Sequence, residues 1–180
     1  MNNTRSRADG RGRWLWLAAG LVAAAVIGWV LVSVGNEPSN AEVAAADAAL
    51  AVPIVRFDGT EDSLESYAGQ PMVVNFFASW CAPCLAELPE IEQVHQDLAG
   101  EVTFVGLNIQ DPPEAGLAVI DQTGITFEVA RDPNGEVFTA FGAMGMPTTV
   151  FIDDDGRVVE VFSGVLPGEA LLERIEEFLL

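Results

Sequence analysis

The chain contains no lysine, one histidine and two cysteines. Without a lysine amine, no side-chain Schiff base can form with a carbonyl substrate. One histidine and two cysteines are too few for a structural zinc site, which takes four such ligands. Positive charge is scarce in general: eight arginines face 27 acidic residues, for a formal net charge of −19. The imbalance is uneven along the chain. Arg5, Arg7, Arg11 and Arg13 against Asp9 give residues 1–34 a net +3, so the remainder carries −22 with only Arg56, Arg131, Arg157 and Arg174 as cations. A domain this acidic repels phosphates, which argues against nucleic acid or anionic lipid as partners. Its plainest effect is solubility. No internal repeat is visible.

What is present falls into four stretches. Residues 1–13 are polar and arginine-rich, and Trp14 to Val34 then gives 21 residues without a charge. As a helix this run is about 31 Å long at roughly 1.5 Å per residue, enough to cross a bilayer. Trp14 and Trp16 lie at one end and Trp29 near the other, where indoles favour the membrane interface. The arginines flank only the N-terminal end, so the expectation is a single-pass anchor with residues 1–13 in the cytoplasm and the rest outside. Cleavage is the alternative, since Ser33-Val34-Gly35 and Ala44-Ala45-Ala46 offer small residues at suitable spacing. No cysteine follows the segment to carry a lipid. Residues 35–51 read as a linker, and residues 52–180 as the folded domain.

Within that domain the patterns alternate. Ile54 to Phe57 and Asp58-Gly59 predict a short strand and turn, and Leu64 to Tyr67 a helical turn. Met72 to Phe77 is nearly continuously apolar, as a strand covered on both faces requires. Leu85 to Leu98 is helical, and Val102 to Leu107 is a second buried strand, parallel to the first through that helix. Pro112 to Ile120 predicts a helix, Thr126 to Ala130 a short strand, and Glu136 to Phe141 a short helix. Thr148 to Ile152 and Val158 to Phe162 flank Asp153-Asp154-Asp155-Gly156, a hairpin signal. Pro167 to Leu180 closes the chain as an amphipathic helix. The sum is an α/β domain with a central mixed sheet and helices on both faces.

The two cysteines, Cys81 and Cys84, sit between the first buried strand and the first helix. Thiols at this spacing can close a small disulfide ring. Cys81 at the helix start is the better nucleophile, because unpaired N–H groups and the helix dipole stabilise a thiolate. Cys84, one turn later, is the resolving thiol, and Pro83 is tolerated in a first turn. A purely structural disulfide is a poor alternative, since so short a loop removes little entropy from the unfolded chain. Metal binding lacks ligands: His95 lies roughly 16 Å along the helix from Cys84 at about 1.5 Å per residue.

On an ideal wheel Cys84, Glu87, Ile91, Val94 and Leu98 share one arc, with Glu90, Glu92, Gln93, Gln96 and Asp97 outside it. A carboxylate on the apolar arc one turn from Cys84 is desolvated, its pKa is raised, and it can exchange protons with that thiol. A surface glutamate favoured near a helix N-terminus is the competing reading, and Pro89 blurs the wheel.

The stretch Val73-Val74-Asn75-Phe76-Phe77-Ala78-Ser79-Trp80-Cys81-Ala82-Pro83-Cys84 resembles the active-site segment of the thioredoxin superfamily. Gly145-Met146-Pro147-Thr148-Thr149-Val150-Phe151-Ile152-Asp153 is similar to its cis-proline loop and following strand. The pattern Trp-Cys-x-x-Cys-x-x-Glu-x-Pro, from Trp80 to Pro89, and Asn75 within the strand are similar to the membrane-anchored, extracytoplasmic thiol:disulfide oxidoreductases of the ResA/TlpA type. The resemblance covers residues 52–180 and implies a thioredoxin fold, preceded here by one transmembrane helix. It implies a redox-active Cys81–Cys84 disulfide, Glu87 as the functional buried acid, and a cis peptide between Met146 and Pro147. Trp80, Met146 and Pro147 then line the substrate site beside Cys81.

What the resemblance implies for function is exchange of disulfides with protein substrates outside the cytoplasm, without a cofactor. Substrates of the family include apocytochrome c thiols, with electrons arriving from a membrane thiol-electron transporter. The direction of transfer stays open between a reductase, as in cytochrome c maturation, and a general oxidase of secreted proteins. Since about 30 mV corresponds to roughly 1.4 kcal/mol, small changes in thiolate stabilisation reverse it. A copper-binding chaperone is the rival from another class, for which His95 is misplaced. A thiol peroxidase lacks the Pro-x-x-x-Thr-x-x-Cys pattern.

Overall fold

The computed structural model of the protein describes residues 48–98 and 100–180. Seven strands form one mixed sheet: β1 (Pro53–Arg56), β2 (Glu61–Ser63), β3 (Met72–Phe77), β4 (Thr103–Ile109), β5 (Glu128–Asp132), β6 (Thr148–Ile152) and β7 (Val158–Ser163). Their spatial order is β2-β1-β5-β4-β3-β6-β7. The helices are α1 (Ala82–Asp97), α2 (Pro113–Thr123), α3 (Glu136–Ala140) and α4 (Gly168–Phe178). The α/β architecture agrees with the expectation from the sequence. The expected cytoplasmic segment 1–13, the transmembrane helix 14–34 and most of the linker lie outside the described residues. Among the described residues no helix is long and apolar enough to cross a membrane. Ala49 and Leu50, at the end of the stretch read as linker, are buried in the core.

β3 is the centre of the sheet. All six of its residues are buried, because β4 pairs with it in parallel on one side and β6 antiparallel on the other. Successive side chains point to opposite faces. Phe76 faces α3, where Phe138 and Phe141 meet its ring edge-on at 5.2 and 6.2 Å. Asn75 faces the other way and reaches α1. Helices therefore cover both faces. Removing the Phe76 ring, fully buried at the centre of this core, costs about 3–5 kcal/mol.

α1 runs unbroken from Ala82 to Asp97 with Pro89 inside it. The predicted strand at Thr126 to Ala130 begins two residues later, as β5, because Thr126 is bonded to α1 instead. A second correction concerns Glu92, which the ideal wheel set outside the buried arc of α1. It is buried. The helix packs against α2 as well as α4, so its covered face is wider than one stripe. On this wider face Glu92 accepts from the Thr126 N–H at 2.7 Å, the Thr126 hydroxyl at 2.6 Å and the Gln96 amide at 2.7 Å.

Candidate active site

Sheet register brings the chemistry to one end. β3 ends at Phe77 and runs directly into the Ala78–Cys81 turn, closed by the Cys81 N–H donating to Ala78 O at 3.1 Å. β6 is antiparallel to β3, with Thr148 opposite Phe76, so the residues before β6 lie at this same end. These include Met146 and Pro147, joined by a cis peptide bond. The chain after Ser163 of β7 returns here too, the Gly164 N–H donating to Pro147 O at 2.9 Å.

Cys81 and Cys84 are joined by a disulfide with Cα atoms 5.3 Å apart. Cys81 is the N-cap of α1, its sulfur accepting from the Cys84 N–H at 3.3 Å. Cys81 is 5% exposed and Cys84 only 1%. Cys81 is thus the slightly more exposed of two buried residues, and it sits at the positive end of the helix. Trp80 beside it is 57% exposed, and Val165, also exposed, lines a cleft together with Pro83 of the disulfide ring.

Glu87 lies one turn beyond Cys84 and is 2% exposed. Its Oε1 accepts from the Asn75 amide at 3.0 Å, and its Oε2 accepts from the Leu166 N–H at 2.9 Å. Asn75 also donates to the Thr149 hydroxyl at 3.1 Å, its register partner on β6. Burial pushes the Glu87 carboxyl up to about 7, outweighing those two donors; the Glu90 charge adds to the rise. A cleft of about 120 Å³ opens beside it, lined by Pro83, Ala86, Glu87 and Glu90 of α1 and by Val165, Leu166 and Pro167. Such a carboxyl can take or return a proton near neutral pH next to the inner thiol.

The structure thus groups Trp80, Cys81, Cys84, Glu87, Met146 and Pro147 at one end of the sheet. His95 is not among them; it lies near the other end of α1, its ring edge-on to Phe104 and Phe127 at 5.3 and 5.8 Å. Among the described residues no cluster of three or more His, Cys, Asp or Glu side chains forms a metal site. Two participants escaped the sequence reading. The Leu166 N–H is a backbone group with no residue-type signal. Asp111 follows β4 and accepts from the Ser79 N–H and hydroxyl at 2.6 and 2.7 Å. Only the parallel pairing of β3 and β4 makes that contact foreseeable.

A family model described as Redoxin matches residues 32–177. The chain is 28% identical over 120 residues to "Thiol-disulfide oxidoreductase ResA" of Geobacillus thermodenitrificans, covering 66% of this chain and 69% of that protein. It is 35% identical over 103 residues to "Thiol:disulfide interchange protein DsbE homolog" of Paracoccus denitrificans, covering 57% and 55%. Among solved structures it is similar to "MTB dsbF in its mixed oxidized and reduced forms", with a TM-score of 0.67 and 32% identity. That match covers 72% of this chain and 96% of the other.

Proposed function

We propose, from the premise that the chain belongs to the Redoxin family and is a thiol:disulfide oxidoreductase of thioredoxin fold, that it is a membrane-anchored reductase of protein disulfides outside the cytoplasm. The observation that carries this reading is Glu87, a buried carboxylate one turn from Cys84 with no cation within 4 Å among the described residues. A buried anion disfavours a neighbouring thiolate, and a dithiol that is less stabilised gives up its electrons more readily. The uncharged run Trp14 to Val34 with arginines on one side supports the anchor and the orientation. Substrates are proteins with an exposed disulfide, apocytochrome c being the proposed one. A membrane thiol-electron transporter restores the dithiol.

In the forward step the Cys81 thiolate attacks one sulfur of the substrate disulfide. A mixed disulfide forms, and the other substrate sulfur leaves and takes up a proton. Glu87 accepts the Cys84 proton, and the Cys84 thiolate attacks the Cys81 sulfur. The substrate's second sulfur leaves and is protonated in turn. Net, the protein dithiol becomes a disulfide and the substrate disulfide becomes two thiols. Trp80 and the Met146–Pro147 loop hold the substrate chain beside Cys81.

The test is capture. Cys84→Ser in the full-length protein stops resolution, so mixed disulfides at Cys81 accumulate in the native host and can be identified. A narrow set that includes apocytochrome c supports the reading, whereas a broad set of secreted proteins makes the chain an oxidase. If nothing is captured and Cys81→Ser has no redox phenotype, disulfide exchange is not its function. A reporter fused after Leu180 that is active only outside the cytoplasm checks the orientation.

A further inference from the structure

We propose that Asp111 is a positioning residue for Cys81: it seats the Ala78–Cys81 turn on the end of β4 and holds a carboxylate against Ser79, two residues before the attacking sulfur. This deepens the function proposed above and rests on Cys81 being the attacking thiol.

The construction around Asp111 is specific. Its Oδ2 accepts from the Ser79 N–H at 2.6 Å and from the Asn108 amide at 2.8 Å, and its Oδ1 accepts from the Ser79 hydroxyl at 2.7 Å. The carboxylate is buried. The residue before it, Gln110, has φ of 51°, a left-handed conformation that an L side chain rarely adopts. Asn108 is buried too, and its Oδ1 has no partner. A buried unpaired acceptor is a cost that an apolar side chain would avoid, so the amide is retained for what its other end does. α2 approaches so closely that a Cβ on Gly116 would stand 2.4 Å from that Oδ1. A strained residue, an orphaned acceptor and an obligatory glycine all converge on one carboxylate. What they hold in place is the N–H two residues before Cys81.

The charge matters as much as the contacts. Among the described residues no cation lies within 4 Å of Asp111. On α1 the ionisable groups nearest the disulfide in sequence are Glu87 and Glu90, both acidic; farther along lie Glu92, His95 and Asp97, and β5 carries Glu128, Arg131 and Asp132. Arg131, opposite Asn108 in register, has its guanidinium over the Phe57 ring. The Asp111 carboxylate accepts three hydrogen bonds, all from neutral donors. It therefore opposes the thiolate that the start of α1 favours at Cys81, and makes the dithiol the stronger electron donor.

The experiment uses the full-length protein in detergent, with two readouts. One is the pH midpoint for iodoacetamide alkylation of Cys81 in the reduced protein. The other is the equilibrium constant for reduction of its disulfide by two glutathione thiols, which yields the dithiol and one glutathione disulfide. Asp111→Asn keeps the shape and removes the charge. The midpoint moves to lower pH, and the constant rises about 3- to 10-fold, tenfold being about 30 mV. Ser79→Ala keeps the charge and removes a donor that moderates it, so both readouts move the opposite way, and Ser79→Thr restores them. A merely structural role loosens the turn in both variants and moves both in one direction; that result, or Asp111→Asn matching the wild type, overturns the proposal. Where Asp111→Asn does not fold, Ser79→Ala and Ser79→Thr decide by the same readouts. Alkylation at Cys84 before Cys81 refutes the assignment of the attacking thiol, a failure distinct from an unshifted Cys81.

Discussion

Two buried glutamates on one helix behave in opposite ways. Glu87, near the cysteine end of α1, has its carboxyl pushed up to about 7 by burial, against two donors. Glu92, five residues on, is buried as well, and burial alone would raise it. Three donors, the Thr126 hydroxyl, the Thr126 N–H and the Gln96 amide, together with nearby His95, hold it below the usual carboxylate range. Both are carboxylates on the same helix, so residue type does not decide. Depth of burial against the number of donors does. One end of α1 keeps a group that titrates near neutrality, and the other keeps a fixed anion that ties α1 to the chain after α2. Chemistry sits at the first end and architecture at the second.

The largest expected effect breaks the first end. Glu87→Gln removes the proton acceptor, and single-turnover reduction of a model disulfide slows about 10²-fold, the low end for general base catalysis. The inflection near pH 7 disappears from its rate profile. Glu92→Gln changes neither by more than about twofold, since Glu92 touches no reacting atom. An inflection that survives in Glu87→Gln assigns the titration elsewhere.

Stability against pH sharpens the same contrast, with opposite signs. Glu87 binds its proton more tightly folded than unfolded, so its contribution is full below about pH 4.5 and is lost as pH rises through about 7. From its shift, the loss is roughly 3 kcal/mol. Denaturant unfolding of the wild type between pH 5 and 8 shows this slope, and Glu87→Gln flattens it. Glu92 is the reverse: its contribution is present above its unfolded pKa and is lost as pH falls through its depressed folded value. Glu92→Gln therefore costs about 1–3 kcal/mol at pH 7, because donors to a buried charge lose their acceptor. The cost fades in acid.

This contrast also marks how far the sequence can be read. The central strand β3 was legible because a strand covered on both faces must be nearly continuously apolar, as Met72 to Phe77 is apart from Asn75. The cysteine pair at a helix start was legible because local spacing alone defines it. Glu87 was half legible, since the wheel placed it on the apolar arc but could not say what covers it. Glu92 was misread because a wheel assumes one packing partner, and α1 packs against α2 and α4 as well as the sheet. Asp111 was not seen because its partner, Ser79, is 32 residues away and becomes a neighbour only through strand pairing. Local periodicity shows which residues are covered. It does not show which donors the covering element brings.

The smallest predicted effect tests that last point at the second end of α1. Gln96 stands four residues after Glu92 and donates to it at 2.7 Å, a part-buried i,i+4 pair that a wheel does predict. Its worth is about 0.2–0.5 kcal/mol, the usual value for such pairs. Thr126, from outside the helix, supplies the two donors that a wheel cannot predict. Gln96→Ala should therefore lower stability at pH 7 by no more than about 0.5 kcal/mol and move the acid transition of Glu92 only slightly upward. Thr126→Val should move it further, because the Thr126 hydroxyl, at 2.6 Å, does more to lower Glu92 than the Gln96 amide does. NMR titration of the two variants ranks them directly. If Gln96→Ala shifts Glu92 more than Thr126→Val does, the anion is held by its own helix, and the tie to the chain after α2 is incidental.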